Sequence, residues 1–163
     1  MKPTLTHEYL VEHVHYDAET GVFTRIKTNR TPALLGPVKG NPMGAGYLAL
    51  SIGNRQYYMH RLAWFYVHGK WPARAIDHIN GDRTDNRLAN LRDVSQAENM
   101  QNVRRPKAYS STGLLGVAKC RDKFRAEIRI NGRKKHLGTF DTAESAHLAY
   151  MDAKRIFHPA CSF

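Results

Sequence analysis

Cysteine is nearly absent. Cys120 and Cys161 are the only two, and they form no CxxC pair. That argues against a zinc ribbon or a disulfide framework as the organiser of the fold, and a reduced cytoplasmic setting fits. Long apolar runs are absent too. None approaches ~20 residues, the span of a membrane helix, and no signal peptide opens the chain. A basic amphipathic helix with a wide apolar face is also missing, which argues against a membrane surface as partner.

Acidic residues are scarce. Fourteen Asp and Glu stand against 25 Lys and Arg, a formal charge of +11 over 163 residues. The imbalance is uneven. Residues 1–103 carry 12 basic and 9 acidic groups, net +3, whereas residues 104–163 carry 13 and 5, net +8. Such an excess attracts a phosphate backbone and releases its counterions, so nucleic acid is the expected partner. The length suits one ordinary domain or two small ones.

Regular structure is legible in stretches. Residues 5–15 read as a short helix, and Glu19-Thr20-Gly21 as a turn feeding a short strand. Residues 28–46, with three prolines and four glycines, read as a loop. Leu48, Leu50 and Ile52 alternate in a strand that Gly53-Asn54 turns into RQYYM. His60 to His68 reads as a helix ended by Gly69 and Pro72. Ile76–Ile79 is a short strand, NGDRTDN a loop, and Leu88, Leu91 and Val94 anchor a second extended piece. Ser95 caps a helix and Glu98 completes a capping box.

The run IDHINGDRTDNRLANLRDVSQAENMQN, residues 76–102, holds a spaced polar set. Asn90 lies twelve residues after His78, and Asn99 nine further on. His78 can take a proton near neutral pH. Asp77 is a hard oxygen ligand of the kind Mg²⁺ uses, and Asn99 can add an amide oxygen. Asn90 can hold the His78 ring or the loop backbone, or act as a turn residue alone. The set suits metal-assisted hydrolysis of a phosphodiester. Asp77, Asp82 and Asp85 lack the Gly-and-Glu frame of a calcium loop, and Asp85 and Asn86 read as loop stabilisers. His60 is either a helix-start residue or a phosphate contact. His13, His15, His68 and His158 show no partner spacing.

This stretch resembles the HNH nucleases, especially their phage and intron-encoded branch. HRLAW, IDHINGDRTDNRLANLR and a helix beginning AEN carry the resemblance, and YDAETGVF, GYLAL and GKWP extend it over residues 8–102. It implies a ββα-metal (His-Me finger) core in an α+β fold with an N-terminal hairpin and helix. It also implies His78 as general base, Asn90 as the residue orienting it, and Asp77 with Asn99 as ligands of one divalent ion per active site. Asn99 stands where many relatives have His. A neutral oxygen there favours Mg²⁺ or Mn²⁺ over Zn²⁺ or Ni²⁺.

Residues 104–112 read as a basic linker with Arg104, Arg105 and Pro106. Beyond it, Phe124, Ala126, Ile128 and Ile130 alternate with Arg125, Glu127 and Arg129, a half-buried strand. Asn131-Gly132 is a hairpin turn into RKKHLGTF. Asp141 is expected to cap a final helix, with Glu144 as its partner. Ala143, Ala146, Tyr150, Ala153 and Phe157 form its apolar stripe. A small three-stranded antiparallel sheet packed on one helix results. GVAKCRDKFRAEIRI and LGTFDTAESAHLAY are similar to the Apetala-type (ethylene-response-factor) DNA-binding domain, whose sheet lies in the major groove. Ala118 and Cys120 replace arginines of that pattern, and His136 replaces an aromatic residue. The expected DNA-facing groups are Lys119, Arg121, Lys123, Arg125, Glu127, Arg129, Lys134 and His136, joined by Arg61 and the linker arginines Arg104 and Arg105.

The expected organisation is a nuclease domain at 1–103 with its core at 60–103, a linker at 104–112 and a DNA reader at 113–163. The expected protein is a phage-encoded, homing-type endonuclease acting on double-stranded DNA in the host cytoplasm, as monomer or homodimer. The alternative is a non-catalytic DNA-binding or regulatory protein that keeps the nuclease fold.

Overall fold

The computed structural model describes residues 5–28, 32–106, 108–158 and 161. The chain divides into two compact units, Met1–Asp93 and Val94–Phe163. The break falls ahead of the boundary expected from composition, and it assigns the helix bearing Asn99 to the second unit.

The first unit opens with α1 (His7–His13), capped by the Thr6 hydroxyl, which accepts from the Tyr9 N–H at 3.2 Å. The helix is shorter than expected. Val14 leaves it and starts β1 (Val14–Tyr16), antiparallel to β2 (Phe23–Arg25). A β-branched residue costs little in a strand, and Val14 and Tyr16 both bury there. Between the strands the Asp17 carboxylate accepts from the N–H groups of Glu19 and Thr20, the turn read from the sequence.

The stretch 28–46, expected to be a loop, holds a short 3-10 turn at Pro32–Leu34 and two three-residue strands. These are β3 (Gly36–Val38) on β2, and β4 (Asn41–Met43) on the next strand. Three residues are too few to show a period in sequence. β5 (Tyr47–Ile52) and β6 (Arg55–Tyr58) form the expected hairpin, with Ile52 opposite Arg55. α2 (Met59–His68) follows at once and ends on Gly69 with φ +67°. Its Leu62, Ala63 and Phe65 join Leu10, Phe23, Leu50 and Ile76 in one apolar core. β7 (Ala75–His78) and β8 (Leu91–Val94) make a two-stranded sheet, with a 3-10 turn at Leu88–Asn90 leading into β8.

The second unit begins with α3 (Gln96–Gln101). The capping box is formed: the Ser95 hydroxyl accepts from the Glu98 N–H, and the Glu98 carboxylate accepts from the Ser95 N–H at 2.7 Å. β9 (Val117–Cys120), β10 (Lys123–Ile130) and β11 (Arg133–Phe140) make an antiparallel sheet with β10 central. Asn131 and Gly132 both have positive φ, +48° and +79°, as a two-residue hairpin turn matched to strand twist requires. α4 (Ala143–Phe157) covers one face of the sheet, with Ala146 fully buried against Val117 and Ala126. Its cap is Thr142, whose hydroxyl accepts from the Ser145 N–H at 3.1 Å. The expected cap, Asp141, lies one residue too early and pairs with Lys123 at 3.0 Å instead. Among the described residues no helix is long and apolar enough to cross a membrane.

Candidate active site

β7 ends on Asp77 and His78, and both side chains are buried. The next residues, 79–87, form a loop that hydrogen-bonds to itself. The Asn80 amide oxygen accepts from the Asp82 N–H, and the Asp82 carboxylate accepts from the Thr84 N–H and hydroxyl. The Asp85 carboxylate takes the Arg87 guanidinium at 2.6 and 2.8 Å and the Asn80 amide at 2.7 Å. The Arg87 bonds hold the Asp85 carboxyl down at about 2. Both carboxylates are thus engaged inside the loop, the stabilising role expected for Asp85.

Asn90 closes this loop. Its amide oxygen accepts from the Asn80 N–H at 2.9 Å, and its amide nitrogen donates to the Asp85 carbonyl at 2.8 Å. Its own carbonyl accepts from the Ile79 N–H at 2.8 Å. Of the roles open to it, the side chain holds the loop backbone.

The His78 ring sits among aromatic rings. The His60 ring meets it edge-on at 5.2 Å between centroids, and the Tyr47 ring lies 5.9 Å away. Burial lowers the His78 pKa below the ordinary imidazole value, and the nearby Asn86 amide oxygen pulls the other way. A lowered pKa keeps the ring neutral, and so able to accept a proton, at neutral pH. His60 is pushed further, to about 3, by burial and then by the charges of His78 and Arg61. It is a packing partner of His78 that stays neutral. Arg83 stacks its guanidinium over Tyr47 at 4.9 Å and donates to the Ala45 carbonyl, which covers the same cluster.

Asp77 carries a partner that no spacing in the sequence marks. Arg92 donates to one carboxylate oxygen, Oδ2, from Nε at 3.0 Å and from a terminal nitrogen at 2.7 Å. Arg61, one of the expected DNA-facing groups, donates to the carbonyls of Pro72 and Arg74 at the entry to β7. Asn99 lies in α3, half-buried, with its N–H on the Ser95 carbonyl. Among the described residues no three His, Cys, Asp or Glu side chains gather as a metal cage.

In the second unit the register decides which basic groups share a face. Glu127 pairs with His136 and Arg129 with Lys134, after a bulge between Ala126 and Glu127. Arg125, Glu127, Arg129, Lys134 and His136 therefore stand together on the face away from α4, with Lys123 at its end. Lys119 pairs with Phe124 and falls on the α4 side. Lys135 does likewise, its ammonium 4.5 Å from the Phe157 ring. Arg121 is in the β9–β10 turn with φ +54°, and Arg104 and Arg105 are exposed.

Residues 57–101 match the family model for HNH endonuclease. Over those residues the chain is similar to HNH endonucleases. The matched segment spans β6 to α3 and contains Asp77, His78, Asn90 and Asn99. A solved structure described as DNA binding and cleavage by the HNH homing endonuclease I-HmuI aligns with 82% of this chain and 75% of its own, at 21% identity and a TM-score of 0.43. No curated protein matches. Within the matched segment, sequence reasoning overlooked Arg92 and read Asn86 only as a loop stabiliser. Both touch a residue it had singled out, but only after the loop closes.

Proposed function

We propose that the protein is a metal-dependent DNA endonuclease of the phage homing type, with His78 as general base. The observation that carries this reading is the buried, neutral-tending His78 at the end of β7, beside a carboxylate and before a loop locked by Asn90. His78 takes the proton of the attacking water. Asn90 keeps the loop closed so that the ring stays in place. Asp77 and Asn99 would hold one Mg²⁺ or Mn²⁺. The donor set fits: both donors are hard oxygens. Such an ion supplies charge stabilisation at the scissile phosphate and the departing oxygen. The segment 113–163 serves as an Apetala-type reader, presenting Arg125, Glu127 and Arg129 to base edges.

Plasmid cleavage in Mg²⁺ by wild type and by His78→Ala tests the proposal. Loss of the base costs ~10²- to 10⁴-fold in rate while DNA binding persists. Wild-type turnover by His78→Ala removes the mechanism. Absence of cleavage by wild type at any divalent ion, with binding intact, favours a DNA-binding protein that retains the nuclease fold.

A further inference from the structure

We infer that Asn86 is the residue that positions the His78 ring, fixing its tautomer so that Nδ1 is the nitrogen that accepts the proton. The inference rests on the proposed role of His78 as base. Its ground is geometric. The Asn86 amide oxygen lies 3.4 Å from His78 Nε2, and both residues are buried, 3% exposed each. The orientation of the amide is set by its other end, since Nδ2 donates to the Thr84 carbonyl at 3.2 Å. An amide oxygen only accepts, so Nε2 must carry the hydrogen, and the lone pair then resides on Nδ1. The distance is long, as is usual for catalytic contacts in a site without substrate.

The backbone of Asn86 is itself held from outside the loop. The buried Tyr16 hydroxyl of β1 donates to the Asn86 carbonyl at 2.7 Å. The Leu88 N–H donates to the Ala18 carbonyl at 3.0 Å. Gly21, with φ +75°, approaches so closely that a Cβ there would stand 2.6 Å from the Arg87 nitrogen and 2.7 Å from the Asn86 carbonyl carbon. The β1–β2 hairpin therefore bears on the residue that faces Nε2. This divides the work of two asparagines. Asn90, the one spaced from His78, closes the loop, and Asn86 holds the ring.

The test uses the full chain with ¹⁵N-labelled histidine. At a pH where the ring is neutral, long-range ¹⁵N–¹H correlation reads the His78 tautomer directly. Wild type is expected to show protonated Nε2, and an Nδ1–H pattern overturns the inference without any variant. Asn86→Leu is expected to lose that preference and to drop kcat about 10- to 100-fold, the range known for the orienting partners of metal-bound histidines, with KM within about twofold. Asn86→Asp keeps an acceptor opposite Nε2 and is expected to retain the tautomer and most of the rate. Tyr16→Phe keeps the Asn86 side chain and loosens its backbone, so a smaller loss of kcat is expected. An Asn86→Leu enzyme with the wild-type tautomer and rate, beside an inactive His78→Ala, removes the role of Asn86 and leaves the base standing. An active His78→Ala removes the base reading itself.

Discussion

Arg92 places two donors on a single oxygen of Asp77, at 3.0 and 2.7 Å, and Asp77 is only 8% exposed. A carboxylate this far from water needs compensation, and the guanidinium supplies it across the β7–β8 pair. Both nitrogens converge on Oδ2, so the plane of the carboxylate is set relative to the strands. The pair therefore does two things: it offsets the burial of Asp77 and aims it.

Removing Arg92 leaves the charge behind. Arg92→Ala is expected to lower the stability of the first unit by roughly 1–3 kcal/mol, short of the full cost for a deeply buried pair because Arg92 is partly exposed. Arg92→Ala with Asp77→Asn is expected to recover part of that loss, because the uncompensated charge is gone. Urea unfolding of the two singles and the double gives the coupling. Strictly additive losses would show that the pair contributes nothing as a pair.

The proposed ligand pair, Asp77 and Asn99, has its own expected signature. Asp77→Ala and Asn99→Ala are each expected to raise the Mg²⁺ concentration for half-maximal cleavage, Asp77→Ala more, since it removes the charged oxygen donor. EDTA is expected to stop the reaction and Mn²⁺ to restore it. A cation titration of plasmid cleavage measures all of this. Full activity in EDTA would exclude a metal-assisted route.

His60 makes stability depend on pH. Its folded pKa of about 3 lies below the ordinary imidazole value, mainly because it is buried. Between about pH 6.5 and 3 the unfolded chain binds the extra proton, so protons favour unfolding. The contribution is fully present above about 6.5 and is lost as pH falls toward 3. His60→Phe keeps a ring beside Tyr47 and His78 but cannot titrate. Wild type is expected to lose on the order of 2–3 kcal/mol more than the variant between pH 6.5 and 4.5. Urea unfolding at the two pH values reads the difference, and identical slopes would show that His60 is not held neutral by the fold.

Much of this is legible in the chain because it is local. The Asn131-Gly132 turn, the Ser95–Glu98 box and the alternation along β10 each depend on residues one to four apart, and all three form as expected. The β3 and β4 strands are not legible, since three-residue strands show no period. Asp141 and Thr142 are both good caps, and only the start of α4 chooses between them. The pairs Asn86–His78 and Arg92–Asp77 join positions eight and fifteen residues apart through a closed loop. No periodicity marks them. Lys154 reads in sequence as a surface charge on the back helix, yet it is 2% exposed and donates to the Val103 carbonyl at 2.5 Å. A long stem lets an ammonium reach a carbonyl from a buried position, which composition cannot show.

The charged face of the β9–β11 sheet yields the last expectation. Glu127 sits between Arg125 at 3.2 Å and Lys134 at 3.6 Å, while Arg129 is exposed and only leans on the Gly132 carbonyl at 3.3 Å. Exposed ion pairs of this kind are worth little in stability, so their loss should leave the fold intact. Their expected effect on DNA binding, if the proposed reader is right, is larger. Glu127→Gln frees two cations for phosphates, so non-specific affinity is expected to rise. The salt dependence is expected to steepen by up to roughly 0.9 in log–log slope for each new phosphate contact. If Glu127 also accepts from a cytosine, the same variant loses about 1–3 kcal/mol of discrimination at that base. Arg129→Ala is expected to relax base preference by a similar amount without changing the fold. Arg155, on α4 and paired with Asp152 at 2.7 Å, is the control, and Arg155→Ala is expected to change neither quantity much. Binding of the three variants to one specific and one scrambled duplex, across a range of salt, separates these effects. If Glu127→Gln and Arg129→Ala bind as wild type does on both duplexes while Arg155→Ala does not, DNA approaches from the helix side and the sheet is not the reading face.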